Sequence, residues 1–222
     1  MKTAQAREPL TSERVLEAAC TVADADGISA VTMRRVAQHL GVEAMSLYHH
    51  TANKEALLDG LVDLVFTEVL DAIGSAIPSN GSWQTTLRSR ILVARSVMLS
   101  HPWAPALIET RTTISLSQIR YVDAAVGVMH DGGLSYNLAH HALHALGSRS
   151  YGFVQELGDN GRSPTDLEPM ASVIPSLVAM LREVSHDDLD DTLGWCDDQT
   201  EFEFGLDILL DGLERLRKEG SQ

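Results

Sequence analysis

The chain has 222 residues, of which 44% are apolar and 22% charged, and its formal net charge is −14. That length fits one large or two small globular domains with a sizeable core, while acidity on this scale argues against a general nucleic-acid coat protein. No apolar run reaches membrane-spanning length, and the opening MKTAQAREPLTSER lacks the apolar core of a signal peptide, so a cytoplasmic protein with no membrane partner is expected. Cys20 and Cys196 stand far apart without CxxC spacing and read as reduced thiols.

Residues 12–26 place Val15, Ala19 and Val22 on one helical face, with Thr11 as N-cap, Glu13 in the first turn and Gly27 as the stop. Ile28 and Val31 pin the loop that follows. From Thr32 to Lys54 the pattern predicts two short helices joined by a tight turn, then the start of another. Val36, Ala37 and Leu40 form the inner face of the first, and Gly41 closes it in a left-handed conformation. Val42 and Leu47 anchor the second. This is a helix-turn-helix, whose second helix is built to lie in the DNA major groove.

The outward side of that second helix, Ala44, Met45, Ser46, Tyr48 and His49 with His50 beyond them, is small, apolar or hydrogen-bonding. It has no carboxylate after Glu43, as a phosphate-lined groove requires. Thr32, Arg34 and Arg35 at the first helix and Lys54 at the start of the next are the expected phosphate anchors. The same spacing also fits an ordinary helical hairpin with solvated charges. Charge distribution favours DNA: residues 1–54 hold six Lys/Arg and six Asp/Glu, so residues 55–222 carry the whole −14.

A helix over 53–73, through Leu57, Leu61, Leu64, Val65 and Leu70, links the two parts, and GSAIPSNGS at 74–82 reads as a linker. Further helices are expected at 83–100, 104–110, 115–130, 135–157, 170–184 and 201–218, with a loop at 159–169 and a solvated acidic stretch at 186–203. The helix at 135–157 is rich in Ala, Gly and Ser, which suits close helix approach. The last helix has an apolar arc wider than one neighbour covers, through Phe202, Phe204, Leu206, Leu209, Leu210, Leu213 and Leu216. It is either core or the seat of a second subunit. The predicted dimer interface is Ala139, Ala142 and Leu146 with Leu206, Leu209 and Leu213.

The expected fold is therefore all-α: a three-helix DNA-binding domain over 1–54 and a helical effector-binding and dimerisation domain over 55–222, linked by the 53–73 helix. His140, His141 and His144 are the one tempting metal pattern, but they lack the Glu of an HExxH motif and an assignable third ligand. No GxSxG, phosphate-cradling loop or Rossmann fingerprint is present. No cofactor, no metal and no enzyme activity are expected.

The run VTMRRVAQHLGV, then SLYHH, then NKEALLDGL, resembles the DNA-binding signature of the tetracycline-repressor (TetR) family of bacterial regulators. SWQTTLRSRI, the LSH at 99–101 and FGLDILLDGLER extend the likeness over nearly the whole chain. The resemblance implies that Tyr48 and Lys54 grip the DNA backbone, and that the helices at 135–157 and 201–218 pair into a four-helix dimer interface. It also implies a drug–magnesium pocket at Arg90, Ala94, Ile108 and Arg111. Isoleucine replaces the magnesium-binding histidine there, so tetracycline is not the expected effector. The pocket is expected to be lined by Leu70, Arg90, Ala94, Ile108, Arg111, Met129 and His144. Either arginine, if inward, selects an anionic or carbonyl oxygen, and otherwise it reaches solvent. The expected protein is a homodimeric repressor on a near-palindromic operator, released by a small apolar effector. Its rivals are an effector-independent DNA binder and a His-dependent metalloprotein.

Overall fold

The computed structural model describes residues 9–76, 81–155, 169–184 and 198–220. Among the described residues all regular structure is helical, in two compact units, Met1–Gly132 and Gly133–Gln222. The first holds α1 (Ser12–Asp26), a 3-10 turn (Ile28–Ala30), α2 (Met33–Leu40), α3 (Ala44–Leu47), α4 (Lys54–Ala76), α5 (Trp83–Ser100), α6 (Ala104–Thr110) and α7 (Leu116–Asp131). The second holds α8 (Tyr136–Gln155), α9 (Pro175–Val184) and α10 (Asp198–Glu219).

Side-chain oxygens set the helix starts. Thr11 accepts from the Arg14 amide at 3.2 Å, Thr32 from that of Arg35 at 3.1 Å, and Asn53 from that of Ala56 at 2.8 Å. Ser82, Ser115 and Ser135 do the same for α5, α7 and α8. Each satisfies an amide the helix cannot, worth about 1 kcal/mol. Gly41 ends α2 at φ 66, ψ 35, the left-handed turn expected of it.

The axis of the first unit is α4. Leu57, Leu61, Val65 and Val69 recur every fourth residue and are wholly buried. Around this stripe pack α1, α5, α6 and α7. Gly60 lets α1 come close, since a Cβ there would lie 2.5 Å from Leu16 Cδ2. The Asp63 carboxylate accepts from the Ser117 amide at 3.2 Å, fixing the first turn of α7 to α4.

Because α4 packs on α1 as well as on α5–α7, the helices before it and after it share the first compact unit, which ends at Gly132. In the second unit α8 and α10 pack on one another. Of the expected linker at 74–82, loop at 159–169 and acidic stretch at 186–203, residues 77–80, 159–168 and 186–197 lie outside the described residues, whereas 74–76 belong to α4 and 198–203 to α10. Among the described residues no single helix is long and apolar enough to cross a membrane.

Candidate DNA-reading face and the elements linked to it

Leu47 and Val36 are wholly buried and Ala37 nearly so, which clamps α3 against α2. Only one turn of α3 is regular; Tyr48, His49 and His50 follow in a turn closed by the His50 amide on Leu47 O at 2.8 Å. Ser12 donates to His50 O at 3.1 Å, so the start of α1 holds the end of the reading segment. On the outer side Met45 is 73% exposed, with Tyr48 and His49 exposed beside it; Ala44, Ser46 and His50 are half-buried. The side chains of Arg34 and Lys54 are exposed and make no hydrogen bond or ion pair among the described residues. Arg35 pairs with Asp26 at 2.8 Å, both largely in solvent. Such a pair is worth under about 1 kcal/mol, so a phosphate can displace it.

Two connections run from these helices to α5 and α6. Arg111, at the end of α6, donates to Glu55 Oε2 at 2.7 Å and lies 3.5 Å from Asp59. Both carboxylates are in the first turns of α4, beside Lys54. Arg111, expected in the effector pocket, thus has its guanidinium paired with α4.

The second connection is His101, the C-cap of α5. The ring is buried, with Nδ1 at 2.8 Å from Asp24 Oδ1 and 3.8 Å from Cys20 Sγ, both on α1. Nε2 lies 3.1 Å from Glu68 on α4, and Trp103 donates to Asp24 Oδ1 at 2.6 Å. Cys20, then Asp24 and Glu68, favour the charged ring over the opposing effect of burial, and the His101 pKa is pushed up to about 10 from 6.5. The raised value means that the unfolded chain releases this proton first. The stability it confers is full below pH 6.5 and is lost as pH rises through about 10. Thermal melts across that window should fall with rising pH, and His101→Gln should flatten the fall. In the sequence Cys20 reads only as a reduced thiol and His101 only as part of LSH. The one visible signal was the i, i+4 spacing of Cys20 and Asp24 on α1.

Of the other expected pocket residues, Ala94, Ile108 and Met129 are buried on α5, α6 and α7, and Leu70 is half-buried on α4. Arg90 is half-buried, and its Nε is fully shielded without a hydrogen-bond partner. His144 is exposed on α8, its ring 4.7 Å from that of His140.

Of the expected dimer residues, Ala139, Ala142, Leu146, Leu206 and Leu213 are buried within the single chain, and Leu209 is half-buried. The exposed apolar stripe of α10 is instead Phe204, Ile208 and Leu216, with Gly212 between them every fourth residue. On α8, Tyr136, His140 and His144 repeat the same spacing in the open.

Comparison with known proteins decides what this arrangement belongs to. The family model "Bacterial regulatory proteins, tetR family" matches residues 15–61, and "Tetracyclin repressor-like, C-terminal domain" matches residues 77–217. The chain belongs to the TetR family. The HTH-type transcriptional repressor DrrR1 of Streptomyces coeruleorubidus is 29% identical to this TetR-family chain, over 93% of it and 78% of the repressor. The class D tetracycline repressor of Escherichia coli is also 29% identical, over 92% of this chain and 89% of its own. Among solved structures, apo ActR of Streptomyces coelicolor superposes with a TM-score of 0.77 at 26% identity, covering 97% of this chain and all of ActR. ActR has also been solved with (S)-DNPA and with actinorhodin. This TetR-family protein is a DNA-binding transcriptional repressor regulated by small molecules, from a family whose members dimerise.

Proposed function

We propose that this chain acts as a homodimer on a near-palindromic operator, with Met45, Tyr48 and His49 facing the bases and Arg34, Arg35 and Lys54 facing phosphates. The exposed Met45–Tyr48–His49 face, held over the buried Leu47, carries the reading. Ala44, Ser46, Thr32 and His50 flank it. Lys54→Ala should weaken binding to every sequence alike and reduce the salt slope by about one unit, as loss of one phosphate contact does. Measuring affinity against salt for operator and unrelated DNA checks this. A changed sequence preference at unchanged slope would refute the role.

The second subunit is assigned to the outward stripes Phe204–Ile208–Gly212–Leu216 and Tyr136–His140–His144. A Cβ built at Gly147 or Gly212 meets nothing within 4 Å, so a partner helix can come close at both.

The effector is assigned to the first unit, against Leu70, Ala94, Ile108 and Met129, with the unpartnered Arg90 Nε as its one charged donor. An unpaired donor of this kind rewards an oxygen acceptor, so the effector is apolar with a phenolate, carboxylate or carbonyl. Leu70 and Lys54 share α4, and Arg111 ties α6 to its first turn. A ligand that moves α6 therefore moves the phosphate anchor, to the extent of its differential affinity for the two states. Screening aromatic and acyl compounds for both thermal stabilisation and operator release tests this. Arg90→Met should weaken the active compound at least about tenfold, the scale of a lost charged hydrogen bond. Release by metal–tetracycline chelates alone would overturn the assignment.

A further inference from the structure

Outside the DNA face and the effector-lining residues, one cluster has ligand chemistry that repression does not use. Cys20 Sγ, an Asp24 carboxylate oxygen and His101 Nδ1 lie within 4.8 Å of one another. The separations are 3.8 Å from sulfur to Nδ1, 3.6 Å from sulfur to Asp24 Oδ2 and 2.8 Å from Nδ1 to Asp24 Oδ1. A tetrahedral zinc ion, at about 2.3 Å from sulfur and about 2.0–2.1 Å from nitrogen and oxygen, sets its ligands roughly 3.3–3.6 Å apart. The two separations to Asp24 run to different carboxylate oxygens, so the carboxylate must turn to set one oxygen, the sulfur and Nδ1 around a single ion, all three donors lying within 4.8 Å beforehand.

We propose that Cys20, Asp24 and His101 bind a thiophilic divalent cation of the zinc type, with solvent as the fourth ligand. Binding releases the thiol proton of Cys20 and the Nδ1 proton of His101, leaving a thiolate and a neutral imidazole on the ion. Two independent features fit. Glu68 Oε2 stands 3.1 Å from His101 Nε2, so a carboxylate holds the far ring N–H and presents Nδ1 to the ion, the arrangement that orients zinc-bound histidines. Trp103 fixes one Asp24 oxygen at 2.6 Å and leaves the other to turn toward sulfur. Cys20 and His101 are buried while the Asp24 side chain is 35% exposed, which gives the ion a way in. The site joins α1 to the α5–α6 corner, all inside the first unit. It is distinct from the exposed His140/His144 pair on α8; among the described residues the three-ligand cluster is that of Cys20, Asp24 and His101.

Cobalt(II) titration of the chelator-treated, full-length protein tests the site, because cobalt reports thiolate ligation and tetrahedral geometry by absorption. The wild type is expected to develop a thiolate-to-cobalt charge-transfer band and tetrahedral visible bands, both removed by added zinc. Cys196→Ser, which leaves Cys20 as the sole thiol of the chain, should behave identically, as should the His140→Ala/His144→Ala double variant. Cys20→Ser should lose the charge-transfer band. Glu68→Gln should bind about 10–100-fold more weakly, the usual cost of removing such an outer carboxylate. Absence of the band at saturating cobalt in wild type and Cys196→Ser overturns the proposal, whatever the folding of the other variants. So does its survival in a folded Cys20→Ser variant or its loss in the α8 double variant.

Discussion

Leu47→Ala is expected to destabilise the DNA-reading helices by about 2–5 kcal/mol and to abolish operator binding. Leu47 is wholly buried, and it is the buried residue of the single regular turn that presents Met45 and Tyr48. A one-turn helix has no stability of its own; its geometry comes from this anchor and from the His50 amide closing on Leu47 O. With the side chain truncated, the cavity has few routes to collapse, since Val36 and Ala37 opposite it belong to a helix fixed by the Thr32 cap and Gly41. Denaturant unfolding together with operator titration checks the effect. An alanine variant that still reads the operator at full affinity would show that the segment is held from elsewhere.

Ile208→Arg should convert the dimer to monomers while leaving each chain helical. The substitution puts a charge at the centre of the outward α10 stripe, where Ile208 is 55% exposed and touches little of its own chain. Burying an unpaired guanidinium against a partner is far costlier than leaving it in water. Operator affinity should drop by about 10²–10⁴-fold, the range in which linked half-sites reinforce one another. Ala142→Glu should behave differently: Ala142 is fully buried in the single chain, so its carboxylate should unfold the protein rather than separate subunits. Light scattering and circular dichroism on both variants separate the two outcomes. An intact Ile208→Arg dimer would remove the assigned seam.

Helix limits were legible in the sequence because their causes are local. Thr11, Thr32 and Gly41 act within one turn, and α1, α5 and α6 fall where capping residues and periodicity place them. The facing of α10 was not legible. Phe202, Leu206, Leu210 and Leu213 face inward while Phe204, Ile208 and Leu216 face out, and both stripes are apolar. An arc that wide announces two contacts without saying which is which. Leu209, picked for the seam, falls between them.

The partners of Arg111 and His101 were not legible for a different reason. The carboxylates that take up Arg111 stand 56 residues away at Glu55, and those around His101 stand 77 and 33 residues away at Asp24 and Glu68. Only the packing of α1, α5 and α6 on α4 brings them together. A long cationic side chain reads equally well as a ligand selector or as an internal tie until its partners are placed. Among the described residues Arg90 Nε is shielded without a hydrogen-bond partner, which is why the proposed effector contact is given to Arg90 and not to Arg111.

Selection of bound sequences from random DNA by the full-length protein, repeated with Met45→Ala, tests the central claim most directly. The wild type should enrich a near-palindrome with half-sites about one helical turn apart, or a multiple of that. Met45→Ala, which removes the most exposed side chain of the reading turn, should shift the preferred bases symmetrically in both half-sites. An unsymmetrical site, or a wild-type motif unchanged in the variant, would contradict a dimer that reads DNA through the Met45–Tyr48–His49 face.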